Sequence, residues 1–400
     1  MIKYLIAVMA CAMFGTGALP TPDSSSPASA LAQPYEHFGF DVLRELHSQR
    51  PVGNVFISPT SIAVALAMTS NGANGTTRDA ILKTLHSDGQ SIETFNAANR
   101  ALAEQIANAK SVQLSMANAL WLQEELPVNA SFVQTLESAY GAQAENLNFR
   151  SPAAAQTING WVAKHTNDRI EKIVDQVDPS TVAVLTNAIA FKGKWSLPFD
   201  PKATQPHAFK AGNGTPRPVP MMKHSAEYGY ASANGLEAIR LPYADGTFAM
   251  YVVLPLDAAG MQSFLEKLTP DGFGALLSSL HTQKGTIELP RFTIKYDTTL
   301  NTALTKLGMS IAFGDGADFG GISNAPRRFQ ISEVRHASFL SVDEEGTEAA
   351  AATSVGIRAT AIRIEPPPFH MIVDHPFFVA IRDERNGQLL FAGVIGEPAS

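Results

Sequence analysis

With 400 residues, 45% of them hydrophobic and 17% charged, the chain can build a large core and is neither disordered nor fibrous. Its formal charge of -7 comes without any run of Lys or Arg long enough to mark a phosphate or anionic-lipid footprint, so nucleic acid is not an expected partner. The same lack of a basic helix argues against a heparin-like polyanion.

The N-terminus reads as a targeting segment. Lys3 precedes an apolar stretch from Tyr4 to Phe14, followed by small residues and a Pro/Ser-rich run from Pro20 to Ala30, the order of a secretory signal and a loose stem. Ala28-Ser29-Ala30 and Ala30-Leu31-Ala32 fit a small-x-small cleavage rule but lie far past the apolar stretch, and Gly15 to Ala18 is closer but fits less well. Val8-Met9-Ala10-Cys11 allows a lipoprotein signal instead, and an unprocessed apolar helix is a third reading. Residues 1–32 are thus expected to be leader and stem, with one domain from 33 to 400 and secretion as the destination. Cys11 is the single cysteine, so removal of the leader past it leaves no thiol for disulfides, metal thiolates or a nucleophile. No membrane contact is expected unless Cys11 is lipidated.

Helical signals come next. Glu36 to Gln49 places Phe38, Val42, Leu43 and Leu46 on one stripe. Ser58-Pro59 opens a second helix as N-cap and first helical residue, running to Gly72. Thr76 to Leu85, Ser91 to Ala107, Asn129 to Tyr140 and Pro152 to Thr166 also read as helices. Strand signals fall at Gln113 to Leu122, Ala142 to Asn148, Val182 to Phe191, Phe248 to Leu254, Thr286 to Tyr296 and Ser338 to Val342. The chain closes with His370 to Ile381 and Leu389 to Ile395, joined by an Asn386-Gly387 hairpin turn. Several strands are apolar on both faces, which predicts a sheet covered on both sides in a single α+β domain.

Catalytic chemistry is absent from the motifs. The chain has no Gly-x-Ser-x-Gly elbow, His-Glu-x-x-His, Walker loop or dinucleotide fingerprint, and its ten histidines show no metal-ligand spacing. No enzyme activity, cofactor or metal is expected.

Asn54 to Leu66 (NVFISPTSIAVAL) with Gly72 to Thr77, Thr186 to Phe199 (TNAIAFKGKWSLPF) and Leu289-Pro290-Arg291-Phe292 carry a resemblance, as do Leu307 to Phe313 with Ala317-Asp318-Phe319. Val342 to Thr353 (VDEEGTEAAAAT) and Asp374 to Phe378 (DHPFF) complete it: from Tyr35 to Pro398 the chain resembles a serpin. The resemblance implies helices on a large mixed sheet plus two smaller sheets, with an exposed reactive loop at about 344–369. It implies a monomer that baits a serine protease and, once cut, inserts the loop's N-terminal arm into the main sheet. The matching positions imply a hinge at Glu345, Gly346, Thr347, Glu348, Ala349, Ala350, Ala351, Ala352 and Thr353. They also imply a cluster holding the centre of the sheet at Ser58, Ser61, Asn187 and His336, and an aromatic at its top, Trp195. Bland alternatives are a helix cap for Ser58, turn polar groups for Ser61 and Asn187, and core packing for Trp195.

The stretch Gly346 to Ala361 fits that role on physical grounds. As a strand, one face would carry Thr347, Ala349, Ala351, Thr353, Val355, Ile357 and Ala359, all small or apolar, while Glu348 and Arg358 fall on the other. Insertion of about 14 residues would move a tethered group roughly 45 Å. Counting from the hinge glycine puts the reactive bond at Thr360-Ala361, which suits an elastase-like or subtilisin-like protease. Cleavage at Arg358 or Arg363 would suit a trypsin-like one instead. A non-inhibitory serpin acting as carrier or chaperone is the alternative.

Overall fold

The computed structural model describes residues 25–257, 260–324, 329–346 and 366–399. The leader with Cys11, the hinge from Thr347 to Thr353, and Arg358, Thr360, Ala361 and Arg363 lie outside the described residues. In chain order the first elements are α1 (Ala32–Gln49), β1 (Val55–Ile57), α2 (Pro59–Ser70), α3 (Gly75–Thr84) and α4 (Ile92–Ala107). They are followed by β2 (Val112–Gln123), α5 (Ala130–Tyr140), β3 (Gln143–Leu147), α6 (Ala154–His165) and β4 (Ala183–Gly193). Then come β5 (Gln205–Lys210), β6 (Pro216–Ala233), β7 (Leu236–Tyr243), β8 (Phe248–Pro255), α7 (Gly260–Lys267) and α8 (Pro270–Ser279). The chain ends with β9 (His281–Pro290), β10 (Phe292–Thr299), β11 (Glu333–Val342), β12 (Phe369–Ile372), β13 (Phe377–Asp383) and β14 (Gln388–Ile395).

The six helices read from the sequence are α1 to α6, each displaced by no more than about a turn. Ser58 caps α2 as expected, its hydroxyl accepting from the Ser61 N–H at 3.1 Å, with Pro59 next. Every residue of α2 is buried. A helix apolar on all sides belongs inside the molecule, and α2 lies between the two sheets, against β14 on one and β4 on the other.

The expected large mixed sheet is the five-stranded one, in the order β10-β11-β4-β2-β3. Its β11/β4 and β2/β3 pairs are parallel, and β10/β11 and β2/β4 are antiparallel. The two smaller sheets expected beside it are joined by hydrogen bonds into one nine-stranded path, β1-β14-β13-β8-β7-β6-β9-β12 with β5 on β6. The join is β6, whose start (Pro216–Met221) pairs with β5, whose middle (Met221–Tyr230) pairs with β9 and whose end (Gly229–Ala233) pairs with β7.

Three sequence readings change. Thr286 to Tyr296 is two strands in different sheets, β9 and β10, because the chain breaks at Arg291, whose N–H donates to the Pro220 carbonyl. His370 to Ile381 is likewise β12 and β13, interrupted before Phe377 by Pro376, which has no N–H for a ladder. The closing hairpin is a four-residue loop with only Gly387 in the left-handed region (φ +79), rather than a two-residue turn that needs two such residues. Among the described residues, no helix is long and apolar enough to cross a membrane.

The described part of the Pro/Ser-rich run is packed against the fold. Pro27–Leu31 forms a 3-10 helix running into α1, with Ala28 and Leu31 completely buried, and Gln105 Nε2 donates to Ser26 Oγ. Apolar side chains that find a core do not stay in a solvated linker, so the packed chain begins before residue 33. Leu31→Ala is therefore expected to cost about 2–5 kcal/mol, read as a lower denaturation midpoint. An unchanged midpoint would put this segment outside the cooperative fold.

Candidate functional site

Along the middle of the five-stranded sheet, β4 and β11 run side by side in the same direction, from Glu333 opposite Val184 to Leu340 opposite Phe191. This register sets His336 of β11 opposite Asn187 of β4, and Asn187 in turn opposite Asn118 of β2. The N-terminus of α2 meets the same point. The four residues implied by the resemblance are thus brought together, and Asn118 joins them. Ser61 lies in the first turn of α2 and Asn187 in mid-strand, so neither is a turn group, and Ser58 both caps α2 and belongs to the cluster.

The hydrogen bonds run in one direction. The Ser58 backbone N–H has only a proton to offer and donates to His336 Nε2 at 3.2 Å. That makes Nε2 the acceptor, so the ring proton sits on Nδ1 and is donated to Asn187 Oδ1 at 2.5 Å. The Asn187 amide then donates to the Ser61 carbonyl at 2.9 Å and to Asn118 Oδ1. Ser58, Ser61, Asn187 and His336 are all fully buried. Burial pushes the His336 pKa down to about 3, so the ring is neutral near pH 7. Protonation would add a second N–H pointing at the Ser58 N–H, two donors facing each other.

At the C-terminal end of β4, Trp195 stacks on Tyr243 (centroids 4.5 Å apart, 11° between planes), and its Nε1 donates to the Asp343 carbonyl at 2.9 Å. Core packing and a backbone bond to the chain leaving β11 therefore coexist in one side chain. The Trp195 N–H donates to the Glu345 carbonyl, and Gly346 forms an antiparallel bridge with Lys194. Gly346 has φ +128, and a Cβ there would lie 2.4 Å from the Gly193 carbonyl oxygen and 2.5 Å from the Trp195 nitrogen. Only glycine fits.

Two residues before Gly346 the chain is pinned. Glu344 is 6% exposed, its carboxylate accepting from Thr204 Oγ1 at 2.7 Å and facing Arg291 Nη1 at 3.5 Å. Its carbonyl accepts from the Phe199 N–H at 2.7 Å. Asn118, Thr204 and Tyr243 had no individual signal in the sequence, and Glu344 was carried only by the stretch Val342 to Thr353. Arg291 and Phe199 lay inside stretches that carried the resemblance.

A family model described as "Serpin (serine protease inhibitor)" matches residues 33–398. The chain belongs to the serpin family. It is 34% identical over 378 residues to Iripin-2 of Ixodes ricinus, covering 92% of this chain and 93% of the relative. Among solved structures, mouse protein-Z dependent protease inhibitor superposes with a TM-score of 0.84 at 26% identity, covering 93% of this serpin and 98% of that chain. Human thyroxine-binding globulin, complexed with its ligand, gives 0.83 at 26% identity, covering 94% and 100%. One fold therefore serves a protease inhibitor and a thyroxine-binding protein, and activity resides in the site carried on it.

Two predictions follow from this geometry. His336 has a folded-state pKa below its unfolded value of about 6.5, so its contribution is complete above that pH and is lost as the pH falls toward 3. At pH 4.5 the expected loss is about 3 kcal/mol. Denaturant unfolding at pH 7.5 and 4.5 should show a steeper decline in this serpin than in its His336→Gln variant, and equal declines would mean that the ring is not held neutral. Gly346→Ala should cost about 1–3 kcal/mol of stability, read as a lower unfolding midpoint, through the strained φ and the close contact with β4.

Proposed function

We propose that this serpin is a suicide-substrate inhibitor of serine proteases, secreted through its N-terminal leader. The protease serine attacks the carbonyl carbon of Thr360. The peptide bond to Ala361 breaks, the new amine leaves, and an ester joins Thr360 to the enzyme. Residues 347–360 then enter between β4 and β11 as a new strand, carrying the esterified protease with them. In this reading Ser58, Ser61, Asn187 and His336 hold the seam shut, Trp195 guards its open end, and residues 345–353 are the hinge.

The observation that carries the reading is the closed parallel seam whose only cross-strand side-chain bond in the cluster joins Asn187 to His336, with Gly346 at its open end. A strand turning back at Gly346 would run antiparallel to both neighbours, a stronger pairing than the parallel one it displaces. The small side chains of Thr347, Ala349, Ala351 and Thr353 suit burial there. Thr360 favours elastase-like or subtilisin-like targets, and Arg358 or Arg363 trypsin-like ones.

The test is to incubate the purified protein with subtilisin, elastase and trypsin separately, look for complexes that survive boiling in detergent, and weigh the released C-terminal peptide. A covalent complex with a peptide beginning at Ala361 is the expected result. A complex releasing a peptide from Ala359 or Ile364 would keep the trap and move the target to trypsin-like enzymes. Clipping without complex or gain in thermal stability would overturn inhibition in favour of a binding role.

A further inference from the structure

On α1, His37 and Asp41 are four residues apart and so share one helix face. The chain leaving α3 turns sharply, with the His86 N–H donating to the Lys83 carbonyl and the Ser87 N–H to Leu82. His86 itself has φ +52, a backbone conformation uncommon for a residue with a side chain. This turn lays the His86 ring flat on His37, 3.8 Å between centroids and 5° between planes, and puts its Nε2 2.9 Å from Asp41 Oδ2. One potential ligand atom from each of the three residues lies within 4.8 Å of the other two.

We propose that His37, Asp41 and His86 form a binding site for Zn2+ joining α1 to the turn after α3. Two imidazoles and a carboxylate are a donor set for zinc, with bonds of about 2.0–2.2 Å and a fourth position left to water. They are a poor set for Ca2+ or Mg2+, which take oxygen ligands. Asp41 is already oriented for the task, since its second oxygen accepts from Arg44 Nη2 at 3.0 Å, as outer partners of metal-bound carboxylates do. The site is reachable from solvent, with the His86 and Asp41 side chains 34% and 26% exposed. Binding requires the ligand edges of the stacked rings to part and the hydrogen bond from His86 to Asp41 to be replaced by shared coordination. Spacing along the sequence hides the site because His86 comes from a different helix's exit turn.

The test is calorimetric titration of the purified protein with ZnCl2, with Co2+ absorption as a spectroscopic readout and thermal melting in parallel. The expected result is one Zn2+ per chain at micromolar affinity, a rise in melting temperature absent with Mg2+, and visible Co2+ bands of a low-coordinate site. His37→Ala and His86→Ala should each weaken zinc at least tenfold, whereas Arg44→Ala, which removes only the outer partner of Asp41, should weaken it less and not abolish it. Circular dichroism confirms that each variant is folded. Zinc stoichiometry and affinity unchanged in both histidine variants, or no binding at micromolar concentration, would overturn the site.

Discussion

Between β4 and β11 two strands run in the same direction while each is antiparallel to its outer neighbour, and their ladder lies in the middle of a sheet where every exchange of partners must pass. Parallel pairing is slightly weaker per residue than antiparallel pairing. On the proposed mechanism a third strand replaces this one ladder by two antiparallel ones. At about 1 kcal/mol net per hydrogen bond, an inserted strand of a dozen residues places the final state many kcal/mol below the starting one. The starting fold then persists because of a barrier and not because it is the lowest state.

The barrier has identifiable parts. Separating β4 from β11 breaks the bond between His336 and Asn187, and burial turns each abandoned donor or acceptor into a penalty of about 1–3 kcal/mol. Because Ser58 and Ser61 belong to α2, the cluster also ties the seam to a helix wedged between the sheets. Thr60 donates to the Leu389 carbonyl at 2.8 Å, and Ser338 on β11 donates to the Phe56 carbonyl at 2.6 Å. Movement at the seam is therefore resisted by β1 and β14 of the nine-stranded sheet as well as by the residues that touch across it.

Helices α1 to α6 were legible because each carries a stripe or a cap, and the fully buried β8 and β14 because they are unbroken apolar runs, whereas the short α7 and α8 were not read. The strands from β5 to β7 were not, and Pro216, Pro218 and Pro220 explain part of this: prolines argue against a strand. The register shows how they are accommodated. Pro220 faces Pro206, and two residues without N–H groups cannot form a hydrogen-bonded pair, so this is a non-bonded position of the ladder. Alternation then puts Pro218 and Pro216 at non-bonded positions too, leaving Val219 and Arg217 to bond β5. The cluster around His336 was reached through the resemblance. Asn118 was not, since an asparagine in a strand acquires meaning only once the register sets it beside Asn187.

The same logic sets where strand insertion can begin. Glu344 is fixed through its carboxylate and its carbonyl to groups outside the five-stranded sheet, so β11 cannot peel back past it without breaking its bonds to Thr204, Arg291 and Phe199. Two residues later Gly346 is already bridged to Lys194 in the antiparallel sense, with the Trp195 N–H on the Glu345 carbonyl. Those are the contacts a new strand beside β4 would extend downward. The chain therefore holds the first rung of the proposed ladder in place before any bond is cut, and what remains for cleavage to release is the far end of the loop. A hinge anchored at Glu344 and turned at Gly346 leaves the residues from Thr347 onward as the first that must slide between the strands, which is where the run of small side chains starts.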